Sequence, residues 1–167
     1  MSWLRAKVSN GLAIDGRCNT DRQDTILLTR RRHHRGCANH DEVLHAVQSV
    51  ARVLGLTVVV VDDSNMTDLG SVNDQLCRFR HAAAVVGPHG ANHINLVASV
   101  PGTCFVEFIA PRTYIGSFQG FARKQGLRYV GINMSVSSSE ELQAGNATVN
   151  ASTVAQMLRR CLLSHVV

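Results

Sequence analysis

The chain has 167 residues, 45% of them apolar, which predicts a single globular domain with a substantial core. No apolar run reaches the roughly 18 residues of a membrane-spanning helix, so no membrane span is expected in this chain. The net charge is +5, with much of the excess in Arg30, Arg31, Arg32 and Arg35. Aromatic residues make up only 5% of the chain, which argues against a nucleic-acid partner.

Residues 1–24 show no regular period and are expected to be an irregular lead-in or linker. A short apolar strand is predicted from Thr25 to Thr29. Asn39 then begins a helix, with Glu42 placed to complete a capping box, and Gly55 ends it. The β-branched run from Leu56 to Val61 predicts a strand buried on both faces.

A helical stripe of Val72, Leu76 and Phe79 precedes the next predicted strand, residues 82–86. That strand ends in Gly87-Pro88-His89-Gly90. A short third helix follows, with Ile94 and Val97 expected to face inward.

The rest of the chain repeats the alternation of strands and helices. Strands are predicted at 103–109 and 127–132, with a helix at 114–125 between them. A polar loop at 135–151 leads to a C-terminal helix at 152–167, packed on the same domain. Strict alternation predicts an α/β fold in which residues 25–134 form a Rossmann-like domain. We expect three layers, α/β/α, around a mostly parallel sheet of about five strands.

The loop at His89 is the strongest candidate site. A strand that leads through glycines into a helix N-terminus presents backbone N–H groups to an anion. The carboxyl ends of parallel strands share one edge of the sheet, which brings the basic cluster, Asp62 and Glu107 to the same edge. This edge is expected to bind phosphate groups.

From about residue 25 to 133 the chain resembles glycosyltransferase family 61. The resemblance depends on Arg30 and Arg35, on Asn39 and Glu42, and on Pro101-Gly102. It also depends on the remaining candidate ligand-binding residues, Gln75, Gly87, His89, Gly90, Ala91, Asn95 and Glu107. One departure is clear, because Asn92-His93 stands where the family usually has Gly-Leu.

The resemblance implies an inverting glycosyltransferase that moves a sugar from a nucleotide-sugar donor to a glycan or glycoprotein acceptor. It implies one half of a GT-B type enzyme, with this chain as the donor-binding half. A missing N-terminal domain would then bind the acceptor and supply the general base. The expected location of the full-length protein is the Golgi or ER lumen.

No cofactor or metal ion is expected. Metal-dependent transferases typically use Asp-x-Asp, but Asp62 and Asp63 are adjacent and would point apart on a strand. His89 and His93 are four residues apart without an obvious third ligand, which disfavours zinc. Arg30, Arg35 and the amides after His89 are expected to stabilise the leaving diphosphate instead.

We expect the following roles for four of the candidate residues. His89 is expected to contact the donor phosphate or sugar. Glu107 would bind either the donor ribose or a cation, Arg30 or Arg112. Gln75 would contact the base or support the loop, and Asn95 would order the loop.

Two other functions remain open from the residues alone. Asp62 suits an NAD-dependent oxidoreductase, although the first turn lacks the glycine-rich fingerprint. A non-catalytic nucleotide-binding domain is the other alternative.

The cysteines and glycosylation sequons bear on the cellular compartment. Cys77, Cys104 and Cys161 are expected to be buried free thiols. Cys18 and Cys37 flank the first strand and could pair in an oxidising compartment, but their spacing does not show it. Four Asn-x-Ser/Thr sequons, at Asn65, Asn133, Asn146 and Asn150, modestly favour a lumenal setting.

Overall fold

Five parallel strands form the central sheet of the protein. The computed structural model describes residues 6–8, 10–11, 18, 23–31, 36–62, 69–111, 116–138, 140–141, 144 and 146–164. The strands are β1 (Thr25–Arg30), β2 (Thr57–Asp62), β3 (Ala82–Pro88), β4 (Cys104–Ile109) and β5 (Arg128–Asn133). Their order across the sheet is β2-β1-β3-β4-β5, and every neighbouring pair is parallel.

Helices cover both faces of this sheet. They are α1 (His40–Leu54), α2 (Val72–His81), a 3₁₀ helix (Ala91–Ala98), α3 (Gly116–Gln125) and α4 (Ala151–Leu163). On one face α1 and α4 pack over Leu28, Val86 and Val106, and on the other α2, the 3₁₀ helix and α3 pack over Leu27, Val85 and Phe105. This confirms the predicted Rossmann-like, three-layer α/β/α fold. None of the described helices is long and apolar enough to cross a membrane.

β2 departs from its predicted environment. Its β-branched run indicated burial on both faces, but β2 is an edge strand, and Val60 is 38% exposed. β-Branched residues favour strands wherever a pleated surface accepts them, so their presence does not fix a central position.

The start of α1 also differs from the prediction. Asn39 lies at the N-cap, but its side chain does not cap the helix. Its amide nitrogen donates to Val149 O at 2.8 Å and its oxygen accepts from Val149 N at 3.1 Å. Asn39 also donates to Glu42 at 3.0 Å. The Asn39 side chain therefore fastens the segment before α4 to the start of α1.

Two helices bury residues other than those predicted to face inward. Val72 is the first residue of α2 and is 68% exposed, whereas Phe79 is the buried residue of this helix. In the 3₁₀ helix Ile94 is 59% exposed, whereas His93 and Leu96 are buried. A 3₁₀ helix has three residues per turn, so positions i and i+3 share a face.

The cysteine prediction was wrong for three residues. The structure contains the disulfides Cys18–Cys77 and Cys104–Cys161, so Cys77, Cys104 and Cys161 are not free. Cys104 projects from β4 towards α4, and its Cα lies 5.9 Å from that of Cys161. The suggested Cys18–Cys37 pair does not form, because Cys18 is bonded to Cys77. Cys37 remains a free thiol, and burial raises its pKa to about 11.

The ends of the chain agree in part with the prediction. Residues 6–8 and 10–11 are helical, where irregular chain was expected. The C-terminal helix forms with Val154, Leu158 and Cys161 buried, and its N-cap is Asn150, whose side chain accepts from Thr153 N. The polar segment before α4 includes single bridges that join Ala147 to Cys37 and Thr148 to Ser135.

Candidate functional site

The candidate site lies where the order of the sheet changes direction. The chain runs from β1 outward to β2 and then crosses back to β3 on the other side of β1. In doubly wound sheets such a switch point opens a crevice at the carboxyl ends of the strands. Here the switch point lies between Arg30-Arg31, at the end of β1, and His89-Gly90, after β3.

Gly87 makes the close approach of β1 and β3 possible. Its φ is 155°, and a Cβ at this position would lie 1.9 Å from Thr29 Oγ1 and 2.8 Å from Thr29 O. No side chain fits that space. Gly87 therefore supports the site through backbone geometry, because any larger residue would push β3 and its loop away from β1.

A hydrogen-bonded cluster of three side chains links β4, β5 and the loop after β3. His89 Nδ1 lies 2.7 Å from Glu107 Oε1, and the Tyr129 hydroxyl donates to Glu107 Oε2 at 2.8 Å. Glu107 is fully buried, so both of its carboxylate oxygens bind partners within the chain. We call these three residues the His89–Glu107–Tyr129 cluster.

The register of β4 and β5 explains the Tyr129 contact. Phe105 pairs with Tyr129 and Glu107 pairs with Gly131, so Tyr129 lies two residues away from Glu107 on the same face. A Cβ at Gly131 would lie 3.1 Å from the Tyr129 hydroxyl. Gly131 thus leaves room for the tyrosine to reach across to the carboxylate.

The carboxylate of Glu107 is ionised despite its burial. Burial alone would raise the pKa of Glu107, but His93, the Tyr129 hydroxyl and His89 stabilise the carboxylate and hold the pKa below its usual value. An ionised carboxylate only accepts, so His89 donates its Nδ1 proton to Glu107. Burial and the bond to Glu107 raise the pKa of Tyr129, which stays protonated as a donor.

His93 is a second histidine beside the same carboxylate. Its Nδ1 lies 3.9 Å from Glu107 Oε1, and neither ring nitrogen has a hydrogen-bond partner within the described residues. The ring packs edge-on against Phe105 and Phe118. Burial lowers the pKa of His93, so the imidazole is neutral at pH 7. It still lies close enough to the Glu107 carboxylate to favour the ionised form of that group.

The basic cluster contributes a residue that the sequence did not single out. Arg31 Nη1 donates to His89 O at 2.9 Å. A Cβ at Gly90 would lie 2.6 Å from the same nitrogen, so the guanidinium fills the space beside Gly90. Arg30 instead lies 4.0 Å from Asp62, and Arg35 is outside the described residues.

The remaining candidates support the loop from α2. Asn95 donates to Gln75 at 3.2 Å and to Asn92 at 3.4 Å. The 3₁₀ helix begins at Ala91, and the first N–H groups of any helix have no partner within it. The Gln75–Asn95 contact holds this helix start beside His89 and Arg31. Among the described residues, no three His, Cys, Asp or Glu side chains are arranged to hold a metal ion.

Comparison with known proteins shows the family. A family model described as Glycosyltransferase 61 matches residues 3–106, which is more than half of the chain. The chain belongs to glycosyltransferase family 61. The matched span includes the switch point, Gly87, His89 and Asn95, and it ends one residue before Glu107.

The other comparisons add less to the family 61 assignment. No curated protein matches the chain. A solved structure of a flavo di-iron protein mutant from Thermotoga maritima has a TM-score of 0.49 at 10% identity. The alignment covers 83% of this chain and 36% of that one, so the chain spans about a third of the length of that protein.

Two members of this family 61 site were missed from the sequence. Arg31 was seen only as part of the basic cluster, where Arg30 and Arg35 were preferred because they match the family pattern. Tyr129 was placed only as a member of a strand. The signal that could have found it is its two-residue period with Gly131, once β5 is paired with β4.

Proposed function

We propose that this family 61 chain binds a nucleotide-sugar donor at the crevice between β1 and β3. The chain would take part in the transfer of the sugar to a glycan or glycoprotein acceptor. The observation that supports this most is the His89–Glu107–Tyr129 cluster beside Arg31 at the switch point of the sheet. Family membership supports the glycosyltransferase activity, and the geometry suggests where the donor would lie.

The diphosphate of the donor is the group that the site suits best. Transfer of the sugar leaves a nucleoside diphosphate whose charge must be stabilised. Arg31 is close to the His89 loop, and Arg guanidinium groups match phosphate oxygens with paired donors. The N–H groups at the start of the 3₁₀ helix, from Ala91, would add the positive end of a helix dipole. Arg30 and Arg35 remain further candidates for the same charge.

His89 would contact the donor through its other ring nitrogen. Nδ1 is engaged with Glu107, which fixes the tautomer and leaves Nε2 for a phosphate or sugar oxygen. Glu107 would then act as a positioning residue for His89. A direct bond from Glu107 to the ribose would require His89 or Tyr129 to leave the carboxylate, so we favour the positioning role.

The supporting residues keep the crevice open at the correct width. Gly87 allows close approach of β1 and β3, Gly90 leaves space for Arg31, and Gln75 and Asn95 hold the 3₁₀ helix. In this proposal the stabilisation needs no metal ion. The reaction inverts the anomeric carbon, and another domain of a GT-B type enzyme binds the acceptor and supplies the general base.

The proposed location is the Golgi or ER lumen. Disulfides persist mainly in oxidising compartments, and the structure has two. Family 61 membership is compatible with the secretory pathway.

A titration with a panel of nucleotides tests the proposed function. The protein is mixed with UDP, GDP, CDP, their sugar conjugates and NAD, and binding is followed by calorimetry. We expect one nucleoside diphosphate and its sugar conjugate to bind at least tenfold more tightly than NAD. Preferential binding of NAD, or no binding of any nucleotide, would contradict the proposal.

A further inference from the structure

The segment 146–150, before α4, alternates strictly between exposed and buried residues. Asn146, Thr148 and Asn150 are exposed, whereas Ala147 is fully buried and Val149 is 3% exposed. Bridges from Ala147 to Cys37 and from Thr148 to Ser135 hold the segment extended. In an extended chain alternate side chains share a face, so both asparagines project outward. We call residues 146–150 the strap.

Both asparagines begin an Asn-x-Ser/Thr sequon with its hydroxyl residue exposed. Asn146 is followed by Thr148, and Asn150 by Ser152. Asn150 also caps α4, but the bond from Thr153 N at 2.8 Å uses its Oδ1. The acceptor atom for an N-linked glycan is Nδ2, so the cap and a glycan are compatible at Asn150.

The strap lies on one particular face of the sheet. Ala147 and Val149 belong to the core under α1 and α4. The side chains that surround the candidate site belong to the other face, where His89 packs edge-on against Phe118 of α3. Cys37 and Ser135 follow the carboxyl ends of β1 and β5, so the strap lies at the same edge of the sheet as the candidate site.

We propose that Asn146 and Asn150 are N-linked glycosylation sites. In each modification Nδ2 forms a bond to the anomeric carbon of an oligosaccharide carried on a lipid diphosphate. The carbon–oxygen bond to the diphosphate breaks, the lipid diphosphate leaves, and Nδ2 loses one proton. The two disulfides support maturation in a compartment where this reaction occurs. The proposal does not depend on the transfer activity.

Removal of glycans from the protein made in its source cells tests the proposal. The protein is treated with peptide-N-glycosidase F, and its mobility and intact mass are compared with those of untreated protein. We expect Asn146→Asp and Asn150→Asp each to carry one glycan fewer than the wild type, and the double variant to carry two fewer. Aspartate at position 150 keeps the oxygen that caps α4, so loss of the glycan is separated from loss of the cap.

Two exchanges at Thr148 provide a matched control for Asn146. Thr148→Ser keeps the sequon and should keep the glycan, whereas Thr148→Val removes the sequon at an exposed position and should remove it. A wild type without glycans, or a double variant with as many glycans as the wild type, would overturn the proposal. A single variant with as many glycans as the wild type would overturn it for that site. If no nucleotide binds at all, the proposed function fails, but the mass measurement still decides the glycosylation sites.

Discussion

Glu107 is the residue on which the candidate site depends most. A buried carboxylate is unfavourable unless donors surround it, and here His89 and Tyr129 take one oxygen each. The position of His89 is therefore set by its contact with Glu107 of β4, which Tyr129 of β5 holds in turn. This arrangement fixes one imidazole nitrogen and leaves the other for a ligand, as carboxylates that bond to a ligand-binding histidine do in many sites.

Replacement of Tyr129 by phenylalanine should destabilise the protein. The exchange removes the donor to Glu107 Oε2 and leaves a buried charge short of one partner, which costs about 1–3 kcal/mol. Urea denaturation of wild type and Tyr129→Phe measures the difference. The double variant with Glu107→Gln should lose less than the sum of the two single variants, because both exchanges remove the same bond. Additive losses would contradict a shared contact.

Stability should fall as the pH drops below 6.5. Burial lowers the pKa of His93 from its usual 6.5, so below that pH the unfolded chain binds a proton that the native state does not. Glu107, whose pKa is also lowered, adds a further loss below its usual value of 4.5. Denaturation midpoints from pH 8 to pH 4 measure the trend.

His93→Leu provides the matched control for this pH dependence. Leucine is the residue usually found here in family 61 sequences, and the packing against Phe105 and Phe118 suits an apolar side chain. The variant should lose the decline just below pH 6.5 and keep the decline at lower pH. An unchanged profile would show that His93 is not the titrating group.

The sequence predicted part of this residue-scale picture. His89 and Glu107 could be found because a histidine in a glycine-rich turn and a carboxylate in an apolar strand are conspicuous. Tyr129 could not, since a tyrosine in a strand is ordinary, and its role depends on the register of β4 and β5. His93 was considered as a metal ligand and as a departure from the family pattern, but its burial was missed because Ile94 and Val97 were expected to face inward.

At the scale of elements, the approach of β3 to β1 sets the geometry of the crevice. Gly87 allows this approach because no Cβ fits beside Thr29. A second contact between elements is made by the Asn39 side chain, which fastens the strap to α1. The sequence predicted both residues as important, but it assigned Asn39 to a capping box. Contacts between segments 110 residues apart carry no local signal.

Gly87→Ala should disrupt the site and destabilise the fold. The added Cβ would overlap Thr29 Oγ1 and crowd Thr29 O, which is backbone and cannot rotate away. We expect a loss of about 1–3 kcal/mol, comparable to overpacking in a core, together with weaker nucleotide binding. Denaturation and calorimetry measure the two effects.

Gly120→Ala provides the control for an added methyl group. Gly120 lies within α3, and a Cβ there meets nothing within 4 Å. Alanine favours helix by up to about 1 kcal/mol relative to glycine, so this variant should be as stable as wild type or more so. If both glycine variants behaved alike, the contact with Thr29 would not be the cause.

At the scale of the whole molecule, the two disulfides hold helices to the sheet and to the N-terminal region. Cys104–Cys161 joins β4 to α4, and Cys18–Cys77 joins residue 18 to α2. The alternation of strands and helices predicted the fold class, but not these bonds. Cysteine spacing does not reveal which strand faces which helix, and an apolar strand context suits a free thiol equally well.

Loss of Cys104–Cys161 should destabilise the protein substantially. The bond closes a loop between residues 57 apart, and a loop of this length corresponds to about 4 kcal/mol in the chain-entropy model. Cys161→Ser and wild type are compared by thermal and urea denaturation. Cys37→Ala, which leaves both disulfides intact, is the control and should lose less. Equal stability of Cys161→Ser and wild type would mean that the bond adds nothing.

The most direct test of the central claim is binding of the preferred nucleoside diphosphate in EDTA and in Mn²⁺. We predict the same affinity, within about threefold, in both buffers, because Arg31, the His89 loop and the helix start would stabilise the diphosphate. In EDTA, His89→Ala should weaken binding about tenfold or more, since a hydrogen bond to a charged group contributes roughly 1.5–3 kcal/mol. Binding that requires Mn²⁺, or that is unchanged in His89→Ala, would contradict the account.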